Sequence, residues 1–330
     1  MSRTNLRLFA LFTVAVFATA GAASAQADDT DEAWREEPRE LEGRAMADGF
    51  SLMSRRDSEL GSDRIEVSFS VDDASLRYSF VSLEEGNETV IVTRLAFLAL
   101  VEFRDRDEDG RYGLGDEAVQ RYDLATLDAR MAPAEPVLEG GFAAVATYPL
   151  ENRSRGDEGP LGGDTPELVP GELRFVFRMS PEVRIAPSGR VAPTEVAIDV
   201  ALDRFPFQEG DTQVALETRF ASNRPLVDVT DAASGLSVGE GVFSSRYAWP
   251  EMDAPPAAVL AEDGAVVAFS MARETASLGP LRLGAARTVG VPEEVVRFFT
   301  EGEPWVYATG ALVALVAAGV PAVMRLREVR

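Results

Sequence analysis

The chain contains no cysteine, no histidine and no lysine, so all 32 of its basic side chains are arginine. The absence of cysteine excludes a disulfide framework and a thiolate nucleophile. The absence of histidine excludes a Ser-His-Asp triad, an imidazole base and an ordinary zinc site. Carboxylates, arginine, tyrosine, serine and hard metal ions held by oxygen are the chemistry that remains. Because this set is short, the composition favours a protein that is not an enzyme.

Acidic residues outnumber basic ones by 55 to 32, which gives a formal net charge of -23. An acidic surface repels nucleic acid and attracts cations. The composition therefore predicts no nucleic-acid partner and favours the binding of cations on electrostatic grounds. Since no disulfide can form, stability has to come from core packing and from bound ions.

Residues 1–25 have the pattern of a secretory signal peptide. Arg3 and Arg7 form a charged start, residues 8–20 are apolar, and residues 23–25 (Ala-Ser-Ala) form a small-residue cleavage site. The alternative is an uncleaved anchor helix. The apolar core is short and the cleavage site is well formed, so we predict that the mature chain is exported.

Residues 305–324 form an uncharged, apolar stretch near the end of the chain. Twenty helical residues, at a rise of about 1.5 Å each, span roughly 30 Å, which is the thickness of a bilayer core. Arginines follow in residues 325–330, which predicts a short cytoplasmic tail, and residues 291–304 resemble a juxtamembrane helix. We therefore predict a single-pass type I protein of the cell membrane, with an extracellular ectodomain and the lipid bilayer as a partner. The alternative is a buried helix of a soluble domain.

Residues 26–62 are rich in Asp, Glu and Arg and poor in large apolar side chains, which predicts a flexible, solvated segment. From residue 63 to residue 150 the apolar residues recur with a period of two, which is typical of strands with one buried face. Residues 95–101 fit a buried helix equally well, because periodicity alone does not separate the two for a dense apolar run. We predict strands at residues 65–71, 76–80, 89–103 and 118–124.

Residues 151–170 carry many Gly and Pro residues and predict a linker or a long surface loop. The strand pattern resumes over residues 171–290. Its clearest part predicts a hairpin formed by residues 196–202 and 214–220. The strands on either side of the linker form either two modules or one sandwich with a long excursion. The predicted fold class is all-β, a mainly antiparallel sandwich-like ectodomain, with one C-terminal transmembrane helix.

A run of acidic residues between two of the predicted strands is the most distinctive motif. Carboxylates stand on alternate residues at Asp105, Asp107 and Asp109, and Gly110 permits a sharp turn directly after them. Ca²⁺ takes six to eight oxygen ligands, so a turn that directs several carboxylates inward predicts a calcium site.

Two further ligands are expected downstream, namely the backbone carbonyl of Arg111 and the carboxylate of Asp116. Carboxylates in so short a loop repel one another, and a cation relieves that repulsion. Binding should therefore stiffen the predicted β-hairpin. The expected dissociation constant is roughly 10⁻⁴–10⁻³ M, as for other extracellular calcium modules.

The run is similar to the calcium loop of EF-hand proteins and resembles the shorter Asp-rich loops of dockerin-type and bacterial surface modules. The matching residues occupy the first, third, fifth, sixth and twelfth loop positions: Asp105, Asp107, Asp109, Gly110 and Asp116. The resemblance covers this loop alone and implies a bound Ca²⁺. The twelfth residue is Asp where EF-hands usually have Glu, so Glu117 is the alternative closing ligand. The predicted flanks are strands, so the helix-opening mechanism of EF-hand sensors does not carry over.

Two sequons of the Asn-x-Ser/Thr type begin at Asn87 and Asn152. One lies in a predicted turn and the other in the predicted linker, where a glycan can be accommodated. Both are therefore candidate glycosylation sites on the predicted ectodomain.

Three functional hypotheses follow. The first, which we prefer, is a membrane-anchored surface protein with a structural calcium loop, acting in structure or adhesion or as an accessory subunit, with another membrane or surface protein as its partner. The second is an extracellular hydrolase of polysaccharide that uses two carboxylates facing one cleft. Asp199 and Asp203 lie on the polar face of one predicted strand, but we interpret them as a solvated face and predict no catalytic residue. The third is an inert spacer whose acidic loop binds no metal.

Overall fold

The computed structural model describes residues 34–58, 61–84, 87–113, 115–134, 140–151, 171–186, 189–228, 235–240, 243–252, 254–261, 264–271, 273 and 277–287. Apart from Trp34 and Arg287, these residues belong to one unit, Arg35–Ala286. A second unit consists of Met1–Trp34 and Arg287–Arg330. The architecture given below is that of the first unit.

The described strands form two large antiparallel sheets. Sheet I consists of β1 (Glu40–Ala45), β2 (Gly49–Ser58), β3 (Gly61–Ser70), β4 (Ser75–Glu84), β5 (Asn87–Arg104), β6 (Glu117–Asp123), β13 (Gln213–Ser222), β17 (Ala257–Ala261) and β18 (Gly264–Met271). Its order is β1-β2-β3-β4-β5-β13-β18-β17, and β6 pairs with the end of β5.

Sheet II consists of β7 (Arg130–Pro133), β8 (Phe142–Leu150), β9 (Gly171–Met179), β12 (Glu195–Asp203), β14 (Leu226–Asp228), β15 (Gly235–Glu240), β16 (Phe243–Ala248) and β19 (Ser277–Arg287). Its order is β14-β15-β16-β19-β12-β9-β8-β7. A separate hairpin pairs β10 (Arg184–Ala186) with β11 (Gly189–Val191).

The core lies between the two sheets and is rich in phenylalanine. From sheet I, Phe69 packs with its ring centroid 4.5 Å from that of Phe177 in sheet II, and Phe97 packs 4.3 Å from Phe175. Such pairs combine large apolar burial with favourable ring geometry. Each sheet contains strands from before and after residues 151–170, so the two predicted β-rich regions form one sandwich.

Several predicted strands are confirmed. The segments predicted at residues 65–71 and 76–80 are β3 and β4, which pair as a hairpin. The apolar run that also fitted a helix is a strand, β5, and the return strand is β6. Residues 40–58 belong to the segment predicted to be flexible, yet they form β1 and β2, because Phe50 and Leu52 bury their side chains in the core.

The predicted hairpin of residues 196–202 and 214–220 is wrong. Both segments are strands, but β12 pairs with β9 and β19 in sheet II, whereas β13 pairs with β5 and β18 in sheet I. The residues between them therefore cross from one sheet to the other. Alternation of apolar residues predicts that a segment is a strand and which face it buries, but not which sheet it joins.

The predicted fold class, an all-β ectodomain with one C-terminal transmembrane helix, also needs correction. Among the described residues, helical structure occurs at residues 34–36 and in a 3₁₀ turn at Leu124–Thr126, and no helix there is long and apolar enough to cross a membrane. Most apolar residues of the described part of the chain alternate along strands and so form no continuous apolar helix. The observed architecture is all-β and antiparallel. The predicted segments at 1–25, 291–304, 305–324 and 325–330 lie outside the described residues.

Candidate metal site

The acidic run forms the connection between β5 and β6. The first part of β5 pairs with β4, and its last part, residues 99–104, pairs with β6. The last registered pair before the loop joins Arg104 to Glu117. The loop over residues 105–116 therefore closes a β-hairpin, as predicted, and all of it except Leu114 is described.

Three of the predicted ligands lie close together. One carboxylate oxygen from each of Asp105, Asp107 and Asp109 lies within 4.8 Å of the other two. Two residues of the loop adopt left-handed backbone conformations, Glu108 with a φ of 59° and Gly110 with a φ of 75°. These turns bring the alternate carboxylates to one side of the loop.

Among the described residues, only one oxygen of the Asp105 carboxylate accepts a hydrogen bond. Its Oδ2 accepts a hydrogen bond of 2.8 Å from the N–H of Gly110. Its Oδ1 is buried and has no hydrogen-bond partner among the described residues. A buried carboxylate oxygen without a donor is unfavourable unless another positive group satisfies it.

The downstream predicted ligands occupy different places. Arg111 follows the cluster directly and donates its N–H to Asp109 Oδ1 at 2.8 Å. Asp116 is not in the cluster; it accepts from the N–H groups of Arg106 at 3.0 Å and Gly113 at 2.7 Å. Asp116 therefore ties the two ends of the loop together through the backbone.

Glu117, the alternative closing ligand, is engaged by arginine. Its Oε2 lies 2.6 Å from a guanidinium nitrogen of both Arg104 and Arg106. The hydrogen bond and charge of Arg106, followed by the charge of Arg104, lower the pKa of Glu117. In this structure Glu117 balances arginine charge and does not join the three aspartates.

The loop is anchored on the outer face of sheet I by Tyr112. Leu98 is an extra residue in β5 opposite β13, because Ala99 pairs with Glu217 and Phe97 with Thr218. This bulge turns the following alternate residues away from the sandwich core, where they form a separate buried cluster: Ala99, Val101, Phe103 and Ala215. Tyr112 packs on this cluster, with its ring centroid 5.1 Å from that of Phe103.

A hydrogen bond adds to this anchor, since the N–H of Tyr112 donates to Ser270 Oγ on β18 at 2.9 Å. Tyr112 was not among the predicted site residues. An aromatic residue inside an acidic turn was the available signal that the turn packs against a sheet.

The electrostatics of the cluster favour a positive ligand. The pKa of Asp107 is raised, first because the folded loop removes water from the carboxylate and then because Asp109 is negatively charged. Asp105 and Asp116 add smaller contributions in the same direction. The folded loop thus holds its negative charges at a cost that a bound cation would offset.

The connection between β12 and β13 reaches the same end of the sandwich, which sequence reasoning missed. Glu209 in this connection forms an ion pair with Arg104 at the base of the loop. Glu102 on β5 is 0% exposed, and its carboxylate accepts hydrogen bonds from the N–H groups of Gln208 and Glu209 and from Thr212 Oγ1. A glutamate within an apolar strand segment can be seen in the sequence. Its hydrogen-bond partners cannot, because they lie about a hundred residues further along the chain.

No protein-family model matches the chain, and no curated protein matches it. The function is therefore inferred from the geometry of the described residues.

The remaining predicted sites receive less support. Asn87 is the first residue of β5, paired with Glu84, and Asn152 lies outside the described residues; glycosylation of either stays a prediction. Of the two strand aspartates, Asp199 forms an ion pair with Arg178, and Asp203 with Arg204. Each carboxylate is thus paired with an arginine, and the Asp203 pair is largely exposed to solvent.

Proposed function

We propose that the protein is a non-enzymatic, extracytoplasmic β-sandwich protein whose loop at residues 105–116 binds one Ca²⁺ ion. The observation that carries this proposal is the juxtaposition of the Asp105, Asp107 and Asp109 carboxylates, with one oxygen of Asp105 buried and lacking a donor. The donors are hard oxygen atoms, which suit Ca²⁺ and not a soft transition metal. The carbonyl of Arg111 is the next candidate ligand along the chain.

The ion would serve a structural purpose. The loop already packs on sheet I through Tyr112, so relief of repulsion among the aspartates would fix it further in place. A weak site of the extracellular kind remains filled where calcium is abundant. Export is supported by the pattern of residues 1–25, and the proposed role is structural or adhesive, with another surface protein as partner.

Calorimetric titration of the full chain with Ca²⁺ tests this proposal. We expect a dissociation constant on the order of 10⁻⁴–10⁻³ M and a higher melting temperature in calcium, because a ligand that binds only the folded state stabilises it. Asp107→Asn should weaken binding by at least about tenfold, since it removes one ligand charge.

The matched control is Asp123→Asn, which removes an exposed carboxylate from the other end of β6 and should leave the affinity unchanged. No heat and no thermal shift at about 10 mM calcium, far above the expected constant, would refute the site. Equal losses of calcium affinity in the two variants would show that the net negative charge of the protein, and not the aspartate cluster, attracts the ion.

Calcium affinity should fall as the pH drops through the raised pKa of Asp107. The folded, calcium-free protein holds this proton more tightly than the unfolded chain does, so protonation stabilises the calcium-free form. Ca²⁺ must displace the proton, and binding in this acidic window should release it. Titration in two buffers of different ionisation enthalpy measures the release. Asp107→Asn should abolish most of it, and an affinity independent of pH would contradict the assignment.

A further inference from the structure

One end of sheet I exposes an apolar strand. Val259 and Leu260 of β17 are 58% and 56% exposed, and because adjacent residues of a strand face opposite sides, both faces of β17 are uncovered. β17 pairs with β18 alone. Its outer backbone edge therefore has no strand partner among the residues that the structure describes.

The backbone groups that point outward can be assigned from the register. Ala261 pairs with Gly264 across the connection of the β17–β18 hairpin, and the residues that flank so short a connection bond to each other. Alternate residues then direct their N–H and C=O groups the other way. Ala258 and Leu260 thus present hydrogen-bonding groups to an incoming strand.

The other described edge strands of sheets I and II are protected in the usual ways. β1 and β6 carry charged side chains, β7 ends in Pro133, and β14 is three residues long. Charges, prolines and shortness all discourage pairing with another chain. β17 is five residues long and contains neither charge nor proline, since its sequence is Ala-Ala-Val-Leu-Ala. Pro255 and Pro256 directly precede it, so the open edge is confined to residues 257–261.

Negative charge lies next to this open edge. The acidic loop lies beside the segment that leads into β17. A Cβ atom added to Gly110 would lie 3.5 Å from the Cβ of Ala254. Glu108 and Asp109 in that loop are exposed, as is Glu251. A second copy would bring the same acidic loop and the same net charge of -23, which opposes self-pairing.

We propose that β17 is a docking edge for an extended segment of a partner protein, apolar along its centre and basic at its ends, which adds to sheet I as a further strand. Backbone hydrogen bonds to Ala258 and Leu260 would hold it in register. Val259 and Leu260 would contact its apolar side chains. The basic end of the segment that lies nearer Ala254 would face the acidic loop.

Two synthetic peptides test the proposal by fluorescence anisotropy with the full chain. Both have a centre of alternating valine and alanine; one is flanked by arginines and the other by glutamates. The arginine peptide should bind at least about tenfold more tightly at low salt, with the difference shrinking as salt is added. A chelator is present throughout, so the result does not depend on the calcium proposal.

Variants of the edge locate the binding. Leu260→Pro removes one outward N–H without removing a bond to β18, and should weaken binding about fivefold or more. Val259→Lys places a charge on the edge and should also weaken binding. Because Val259 is exposed, this change does not disturb the core, so a loss of binding in this variant would not come from a folding defect. Ile185→Lys changes a residue that is 77% exposed on β10 and should leave binding unchanged.

Three results would overturn the proposal. These are the absence of binding by the arginine peptide, equal binding of both peptides, and an equal effect of Ile185→Lys and Val259→Lys. Concentration-dependent dimerisation of the unliganded chain, abolished by Leu260→Pro, would instead assign the edge to a second copy.

Discussion

Replacement of Asp63 by asparagine is expected to lower the free energy of unfolding by about 3–5 kcal/mol, because it leaves a buried guanidinium without its counter-charge. The ion-paired side chains of Arg39 and Asp63 are 0% and 1% exposed. Arg56 reaches the same carboxylate, with Nε 2.7 Å from Oδ2. Burial lowers the pKa of Arg39 to about 10, as expected for a charge that is held away from water.

Urea denaturation followed by circular dichroism measures this loss. The matched control is Glu66→Gln on the same strand, β3. Glu66 lies 3.1 Å from Arg64, and both side chains are about half exposed, so its replacement should cost less than about 1 kcal/mol. Comparable losses in the two variants would show that the buried pair is not the feature that stabilises this edge of sheet I.

The strands that sequence reasoning located correctly share one property, which is strict alternation over a long segment. In β3, the residues Ile65, Val67 and Phe69 are buried, and the polar residues between them are exposed. Burial of one face per strand dictates this pattern, so the strand and its register can be predicted locally. The same holds for β4, which follows β3 after a short turn.

Strand partnership in the second half of the chain could not be predicted locally. The segments that became β12 and β13 are consecutive and alternate cleanly, which favours a hairpin. They separate because the intervening chain is held at the end of the sandwich by Glu102, and Glu209 in that connection pairs with Arg104. These contacts join residues about a hundred positions apart, and no local pattern encodes them.

The candidate metal site could likewise be predicted only in part from the sequence. Alternate carboxylates followed by a glycine predicted that Asp105, Asp107 and Asp109 would converge, and they do. The loop position of Asp116 and the adjacency of Glu117 suggested ligands, but arginines and backbone N–H groups take up these carboxylates. Spacing determines what a short loop can bring together, whereas the rest depends on neighbouring side chains.

Glu102→Gln is expected to lower the free energy of unfolding by about 2–4 kcal/mol, because hydrogen bonds to a charged group are strong and an amide nitrogen cannot accept them. Glu102 accepts from the N–H groups of Gln208 and Glu209 at 3.0 and 3.1 Å, and from Thr212 Oγ1 at 2.5 Å. The second carboxylate oxygen also accepts from the N–H of Gln208, at 2.9 Å. A glutamine whose carbonyl oxygen kept the other bonds would place its NH₂ group against that N–H, so two donors would face each other. Urea denaturation of the two proteins measures the difference.

Glu117→Gln is the matched control for this prediction, since Glu117 is about 43% exposed and pairs with arginine at the surface. This replacement should lower the free energy of unfolding by less than about 1 kcal/mol.

The calcium titration adds a second readout for Glu102→Gln. Glu102 touches the crossing connection and not the three aspartates, so its replacement should reduce stability while the affinity for Ca²⁺ stays within about twofold. A loss of stability no greater than that of the control would mean that the connection between the sheets is held by its other contacts. A parallel loss of affinity would mean that the crossing connection and the acidic loop form one cooperative unit, joined through Arg104.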